Sequence, residues 1–183
     1  MKKLLAQFSF EAKQWFILLT KYAPGKFGCH IRNLTWGYKA GKFSTIWDGT
    51  HINHPEKLKI GHNVSINRGC TIHAGGEIDI GDNVLIGPKV VIYSQNHKFR
   101  SLSKNIAEQG YSYKKVTIED DVWIASGAII LPGSYISKGA IIGAGAVVRG
   151  SIPSLAIVTR HYHWNSDTNG LIDKSLTLLQ GCR

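Results

Sequence analysis

A six-residue repeat of aliphatic side chains constrains the fold of this chain more than any other feature. An α-helix cannot produce a period of six, because helical faces recur every 3.6 residues. A parallel β-helix can, because each six-residue unit forms one short strand and one turn. The repeat positions, all Ile or Val, are Ile60, Ile66, Ile72, Ile80, Ile86, Ile92, Ile118, Ile124, Ile130, Ile136, Ile142 and Val148.

The repeat predicts an all-β fold, a left-handed parallel β-helix whose triangular coils take about eighteen residues each. The repeat aliphatics point inward and stack between coils, so each coil buries its core only against its neighbours. An ordinary β-sandwich is the alternative, and it would need twelve positions in register by coincidence. Small or modest residues recur at the fifth position of most units, where the corner is tight: Val64, Cys70, Gly76, Val84, Val90, Val122, Ala128, Ser134, Ala140 and Ala146.

The pattern divides the chain into three parts. An N-terminal helix is expected over 1–22, the β-helix domain over 23–158, and a C-terminal tail over 159–183, where Leu171 to Leu179 is compatible with a short helix. The period fails over 98–115, a polar, basic and aromatic segment that follows His97 directly. A long excursion from a regular solenoid is usually functional or disordered.

The N-terminal helix has two interpretations. Leu4, Phe8, Trp15 and Leu19 share one helical face, while most charged residues lie elsewhere. The helix either caps the open end of the β-helix, or docks peripherally on a membrane through its aromatic residues and nearby lysines.

Composition excludes several classes of protein. The 183 residues contain 22 Lys and Arg against 12 Asp and Glu, a formal charge of +10 that favours polyanionic ligands. No nucleic-acid-binding motif accompanies this charge, so we expect no nucleic-acid partner. Cys29, Cys70 and Cys182 form neither a disulfide framework nor a metal-binding pair. We find no export signal and no apolar stretch long enough to span a membrane, and we expect a cytoplasmic protein.

Two segments resemble the hexapeptide-repeat acyltransferases. They are INRGCTIHAGGEIDIGDNVLIGPKVVIYSQNHKF at 66–99 and VTIEDDVWIASGAIILPGSYISKGAIIGAGAVVRGSIP at 116–153. The likeness is greatest to the sugar and polysaccharide O-acetyltransferases of the maltose and galactoside type. It implies a homotrimer with sites between subunits and acetyl-CoA as acyl donor, with no metal and no covalent intermediate.

His97 is the first candidate catalytic residue, since an imidazole is the usual general base for a hydroxyl. The resemblance implies that His97 removes the proton of the acceptor hydroxyl. It also implies that Asn67 and Trp123 contact the acceptor. A solvated loop histidine, a turn asparagine and a packing tryptophan are the structural alternatives. A glycan or glycolipid acceptor fits the basic and aromatic residues of the segment after His97: Phe99, Arg100, Lys104, Tyr111, Tyr113 and Lys114.

The acyl donor is expected along later coils. By resemblance Ser126 lies near the thioester carbonyl, where a backbone N–H would stabilise an oxyanion, and Ala144 and Gly145 lie beside the pantetheine arm. Arg149 is a candidate for the CoA phosphates, because guanidinium pairs well with phosphate. The chain departs from the family at its closing loop, SLAIVTR at 154–160, where Arg160 is a candidate for holding the nucleotide.

Within the acyltransferases, an amino group or an antibiotic is also a possible acceptor, and two functions of other classes remain open from the sequence. A non-catalytic scaffold would use the β-helix only to trimerise. A zinc carbonic anhydrase would use three histidines, for which His62, His73 and His97 are available. The zinc alternative requires a second histidine five residues after the first. The chain lacks this pair, because position 102, five residues after His97, is Leu.

Overall fold

The structure, a computed structural model, describes residues 2–159 and 162–163. Two helices, α1 (Lys2–Lys21) and α2 (Gly25–Thr35), precede twenty short strands. The strands are β1 (Lys39–Ala40), β2 (Thr45–Ile46), β3 (His51–Asn53), β4 (Leu58–Ile60), β5 (Ser65–Ile66), β6 (Thr71–His73), β7 (Ile78–Ile80), β8 (Leu85–Ile86), β9 (Val91–Tyr93), β10 (Gln95–His97), β11 (Tyr111–Tyr113), β12 (Val116–Ile118), β13 (Trp123–Ile124), β14 (Ile129–Ile130), β15 (Tyr135–Ile136), β16 (Ile141–Ile142), β17 (Val147–Arg149), β18 (Ser151–Ile152), β19 (Ile157–Val158) and β20 (Tyr162–His163).

Eighteen of these strands form three parallel six-stranded sheets, which are the faces of a triangular β-helix. Face A has the order β1-β4-β7-β12-β15-β18, face B β2-β5-β8-β13-β16-β19, and face C β3-β6-β9-β14-β17-β20. The chain visits A, B and C in turn, so each face gains one strand per coil. The predicted solenoid is therefore confirmed.

The core is the stack of aliphatic residues that the repeat predicts. All twelve repeat positions are buried, with at most 5% of the side chain exposed. On face B, for example, Ile66 pairs with Ile86, Ile86 with Ile124, and Ile124 with Ile142. Small residues such as Ala128, Ala140 and Ala146 are also buried. Burial of this kind stabilises by roughly 25 cal/mol per Å² of apolar surface.

The early coils are longer than the predicted eighteen residues. Hydrogen-bonded positions such as Asn63 and Asn83 are 20 residues apart, whereas Ile124 pairs with Ile142 across eighteen. The extra residues lie where face C turns into face A, and they add Leu58 and Ile78 to the buried core.

The excursion leaves the β-helix at this same corner, after β9, and returns at β12. It forms an antiparallel hairpin in which β10 pairs with β11, and a single turn of 3-10 helix, Ile106–Glu108, lies near its tip. The regular strand order resumes beyond the excursion, since Ile80 pairs with Ile118. The hairpin therefore projects from a continuous wall.

The helices meet the β-helix unequally. α2 buries Gly28, Cys29 and Arg32 and contacts β2, so it covers the first coil. Only the end of α1 docks there: Thr20 is buried, and Trp36 Nε1 donates to Thr20 Oγ1 at 2.9 Å. The capping role considered for α1 thus belongs to α2, which the sequence pattern did not reveal.

Three of the expectations concern residues that the structure does not describe. These are the segment 171–179, Arg160 and Cys182. Cys29 and Cys70 are free thiols. Neither helix combines the length and apolar character that crossing a membrane requires, among the residues described.

Candidate active site

The hairpin holds His97 away from the β-helix wall. The base of the hairpin packs on the turn at Gly75 and Gly76. A Cβ at Gly75 would collide with the Gln95 side chain, and one at Gly76 with the Ser94 carbonyl. Gly76 N also donates to Ser94 Oγ at 2.9 Å, and Lys114 N to the Ser94 carbonyl at 2.9 Å. The backbone of the hairpin base leaves no room for a side chain at Gly76, so the turn and the hairpin base form one packed unit.

His97 is the last residue of β10 and is exposed. It lies opposite Tyr111 in the hairpin, and the ring centroids are 4.4 Å apart at an interplanar angle of 39°. The Asn96 side-chain oxygen accepts from His97 N at 2.9 Å, and Lys98 N donates to the Gly110 carbonyl at 3.0 Å. The imidazole thus has an ordered backbone and a stacked aromatic partner, with its ring edge in solvent. That arrangement suits proton transfer with a bound hydroxyl.

The triangular β-helix has the shape of a prism. Four of the predicted site residues lie along a single edge of this prism, where face B turns into face C. We call this the BC edge: residues 47–50, 67–70, 87–90, 125–128 and 143–146. Asn67, Ser126, Ala144 and Gly145 all belong to it. The edge is held by coil-to-coil hydrogen bonds, including Gly145 N to the Ser126 carbonyl and Lys89 N to the Arg68 carbonyl, both at 3.0 Å.

The middle of the BC edge is open to an extended ligand. Ser126, Ala144 and Gly145 are exposed, and a Cβ at Gly87 would lie 2.8 Å from Ser126 N. Small residues there leave backbone groups accessible along two successive coils. Asn67 is half-buried, and its side-chain oxygen accepts from Arg68 N at 2.8 Å, which leaves the amide nitrogen as the group that can donate to a ligand.

Trp123 lies on face B, next to the BC edge. Its register partners are Leu85 and Ile141, and half of Trp123 and of Leu85 is exposed. These side chains make a flat apolar surface beside Ser126. Such a surface can pack an aliphatic arm or the apolar face of a sugar ring.

The structure does not bring all predicted residues together in one chain. His97 projects from the corner between faces C and A, while Asn67 and Ser126 lie on the BC edge, across face C. Arg149 ends β17 and is exposed, so it too lies across face C from Ala144 and Gly145. In this conformation of the hairpin, one chain does not bring both groups into a single site.

Face C carries a cluster that sequence reasoning did not assign. Asn53, His73 and Tyr93 are neighbours in register. Asn53 Nδ2 lies 3.0 Å from His73 Nδ1, and the His73 and Tyr93 rings are 4.7 Å apart. Burial lowers the pKa of His73, helped by the nearby His51 and His54.

The three histidines of the zinc alternative lie apart. His62 accepts from Lys42 N at the corner between faces A and B, His73 is on face C, and His97 is on the hairpin. Within residues 2–159 and 162–163, no group of three or more His, Cys, Asp or Glu side chains could hold a metal ion.

Tyr111 stacks beside the candidate base His97, and the sequence alone does not indicate this role. In the sequence, Tyr111 is only one aromatic residue of the excursion. Its position opposite His97 depends on where the hairpin turns, and the irregular segment between them carries no period from which to count. The repeat of aromatic residues in Tyr111-Ser112-Tyr113 was the available signal for a strand.

Comparison with known proteins shows what this chain is similar to. The profile described as "Bacterial transferase hexapeptide (six repeats)" matches residues 115–150. Galactoside O-acetyltransferase of Lactococcus lactis is 34% identical over 119 residues, which is 61% of this chain and 56% of that protein. In sequence, the chain is thus similar to acetyltransferases of the hexapeptide-repeat type.

Solved structures extend the likeness over most of the chain. Maltose O-acetyltransferase of Clostridium difficile 630 superposes with a TM-score of 0.66 at 26% identity, covering 80% of this chain and 79% of that one. A hexapeptide-repeat acetyltransferase of Vibrio cholerae, solved with acetyl-coenzyme A, has a TM-score of 0.71 at 24% identity over 79% and 78% of the two chains, and shows the shared fold. By sequence, the matches span only 39% to 57% of the length of the curated relatives.

Proposed function

We propose that this chain is a CoA-dependent O-acetyltransferase that moves an acetyl group from acetyl-CoA to a hydroxyl of a sugar or of a surface-polysaccharide or glycolipid precursor. The observation that carries the proposal is the exposed, Tyr111-stacked His97 on a hairpin, in a chain whose BC edge offers small, exposed residues. Names of relatives agree, since galactoside and maltose O-acetyltransferases both acylate a sugar.

The proposed site lies between two chains of a homotrimer. The pantetheine arm of acetyl-CoA lies along the BC edge of one chain, beside Ala144 and Gly145, and its thioester reaches Ser126. The acceptor lies between Trp123 and the hairpin of the neighbouring chain, with the Asn67 amide as a hydrogen-bond donor to it. Arg149 would contact CoA phosphate only if the neighbouring chain presents it, because it lies across face C from Ala144.

The proposed reaction has a single tetrahedral intermediate. His97 removes the acceptor hydroxyl proton as the oxygen bonds to the acetyl carbonyl carbon, and the Ser126 backbone N–H stabilises the oxyanion. When the intermediate collapses, the carbon–sulfur bond breaks and the imidazolium returns its proton to the thiolate. The acetyl ester and free CoA leave. The step needs no metal and no covalent enzyme intermediate.

The test is thiol release from acetyl-CoA by wild type and His97→Ala, across a panel of sugars, nucleotide sugars and glycan fragments. Loss of a general base lowers turnover by about 10²–10⁴-fold, while calorimetry should show unchanged CoA binding. His30→Ala is the matched control, because His30 is an exposed histidine on α2. An active His97→Ala variant would remove His97 from the mechanism. Absence of both turnover and CoA binding in wild type would favour the non-catalytic scaffold.

A further inference from the structure

The first helix carries an apolar stripe that no other described part of the chain covers. Phe8, Trp15, Leu19 and Tyr22 recur at spacings of seven, four and three, which places them on one side of α1 and just beyond its end. Each is more than 60% exposed. This apolar stripe is large for a surface that faces only water.

The opposite side of α1 is the one that docks on the prism. Ile17 packs against the core and Thr20 is buried, and Lys21 O accepts from Gly49 N at 2.9 Å. These residues are about half a helical turn away from the apolar stripe. Docking therefore fixes the stripe outward, as a projecting edge at the N-terminal end of the prism.

The stripe lies in a strongly basic segment. Residues 1–27 contain five lysines and one acidic residue, Glu11. Lys21 Nζ lies 5.4 Å from the Tyr22 ring centroid, and Phe27, in the first turn of α2, is a further exposed aromatic residue of this segment, at 75%. A second copy of this chain would bring the same positive charge to the contact and be repelled. A surface of anionic lipids would instead be attracted to the lysines.

We propose that the apolar stripe of α1 docks on an anionic lipid bilayer, with the helix lying in the plane of the headgroups. Trp and Tyr are favoured at this depth, because their rings are apolar and their edges polar. Lysines around such a helix reach the headgroups while their stems cover apolar surface. The N-terminal end of the β-helix then faces the membrane. The proposal does not depend on the proposed chemistry.

Vesicle flotation tests the proposal. The full chain should float with vesicles of phosphatidylcholine and phosphatidylglycerol, bind pure phosphatidylcholine at least tenfold more weakly, and dissociate as salt is raised. The double variant Trp15→Ser/Leu19→Ser should lose binding about tenfold or more. The matched control, Phe43→Ser/Leu155→Ser, removes one exposed aromatic and one exposed leucine outside α1 and should bind like wild type.

A second variant tests the charge argument by gain rather than loss. Glu11 lies at the edge of the apolar stripe, and Glu11→Lys should strengthen binding to the anionic vesicles about fivefold or more. No flotation of wild type, or equal loss in the control pair, would overturn the proposal. So would a change of oligomeric state in Trp15→Ser/Leu19→Ser by light scattering, which would assign the stripe to contacts between copies of the chain.

Discussion

At the scale of single residues, His73 makes the stability of face C depend on pH. Burial, with the neighbouring His51 and His54, lowers the pKa of His73 below its ordinary value of 6.5. The unfolded chain therefore binds a proton that the folded chain resists, so stability falls as the pH drops below about 7 and the loss is complete below the folded pKa. Protonation also removes the lone pair that faces Asn53 Nδ2 at 3.0 Å.

We expect His73→Gln to lose less stability than wild type between pH 7.5 and pH 5. Thermal unfolding at closely spaced pH values measures the difference, and His30→Gln is the control for an exposed histidine. Equal slopes of stability against pH for wild type and His73→Gln would show that protonation of His73 does not contribute to the pH dependence. The position of the cluster on face C follows from the repeat, but its contacts depend on rotamers that the period does not specify.

At the scale of elements, Arg32 joins both helices to the first coil. Its side chain is fully buried and donates to the carbonyls of Thr20 and Ala23 at the end of α1 and of Ile46 in β2, at 2.8–2.9 Å. The contacts to Thr20 and Ala23 satisfy carbonyls that the end of a helix leaves without intrahelical partners. An arginine in GKFGCHIRNLT gives no sign of burial from the sequence, which is why the role of α2 was missed.

Arg32→Met should destabilise the chain by about 3 kcal/mol or more, because several buried carbonyls lose their donors at about 1–3 kcal/mol each. Urea unfolding measures the change, and limited proteolysis should cut after α1 sooner. Arg32→Lys should not restore the loss, since one ammonium cannot reproduce the guanidinium fork. The exposed Arg68→Met, which breaks an ion pair with Asp48, should cost at most about 1 kcal/mol. Equal effects at the two positions would refute the special role of Arg32.

At the scale of the whole molecule, the repeat specifies the prism and leaves its assembly open. Twelve buried positions follow from a period of six, and the BC edge then follows from counting, which is why Asn67, Ser126 and Gly145 could be predicted to lie along the coils. The hairpin and its His97–Tyr111 pair could not be placed, because the excursion has no period. The separation of His97 from the BC edge across face C is a property of the closed triangle.

This separation predicts that two inactive variants will restore each other in one assembly. If the site lies between chains, His97→Ala supplies an intact Asn67, and Asn67→Ala supplies an intact His97. Co-expressed in equal amounts, random trimers should show about a quarter of wild-type turnover, because each site needs one particular pairing of two chains. Each variant alone, purified by the same route, should stay near background. A mixture no more active than its parents would place both residues in the same chain's site, and the hairpin would then have to fold back across face C to reach Ser126.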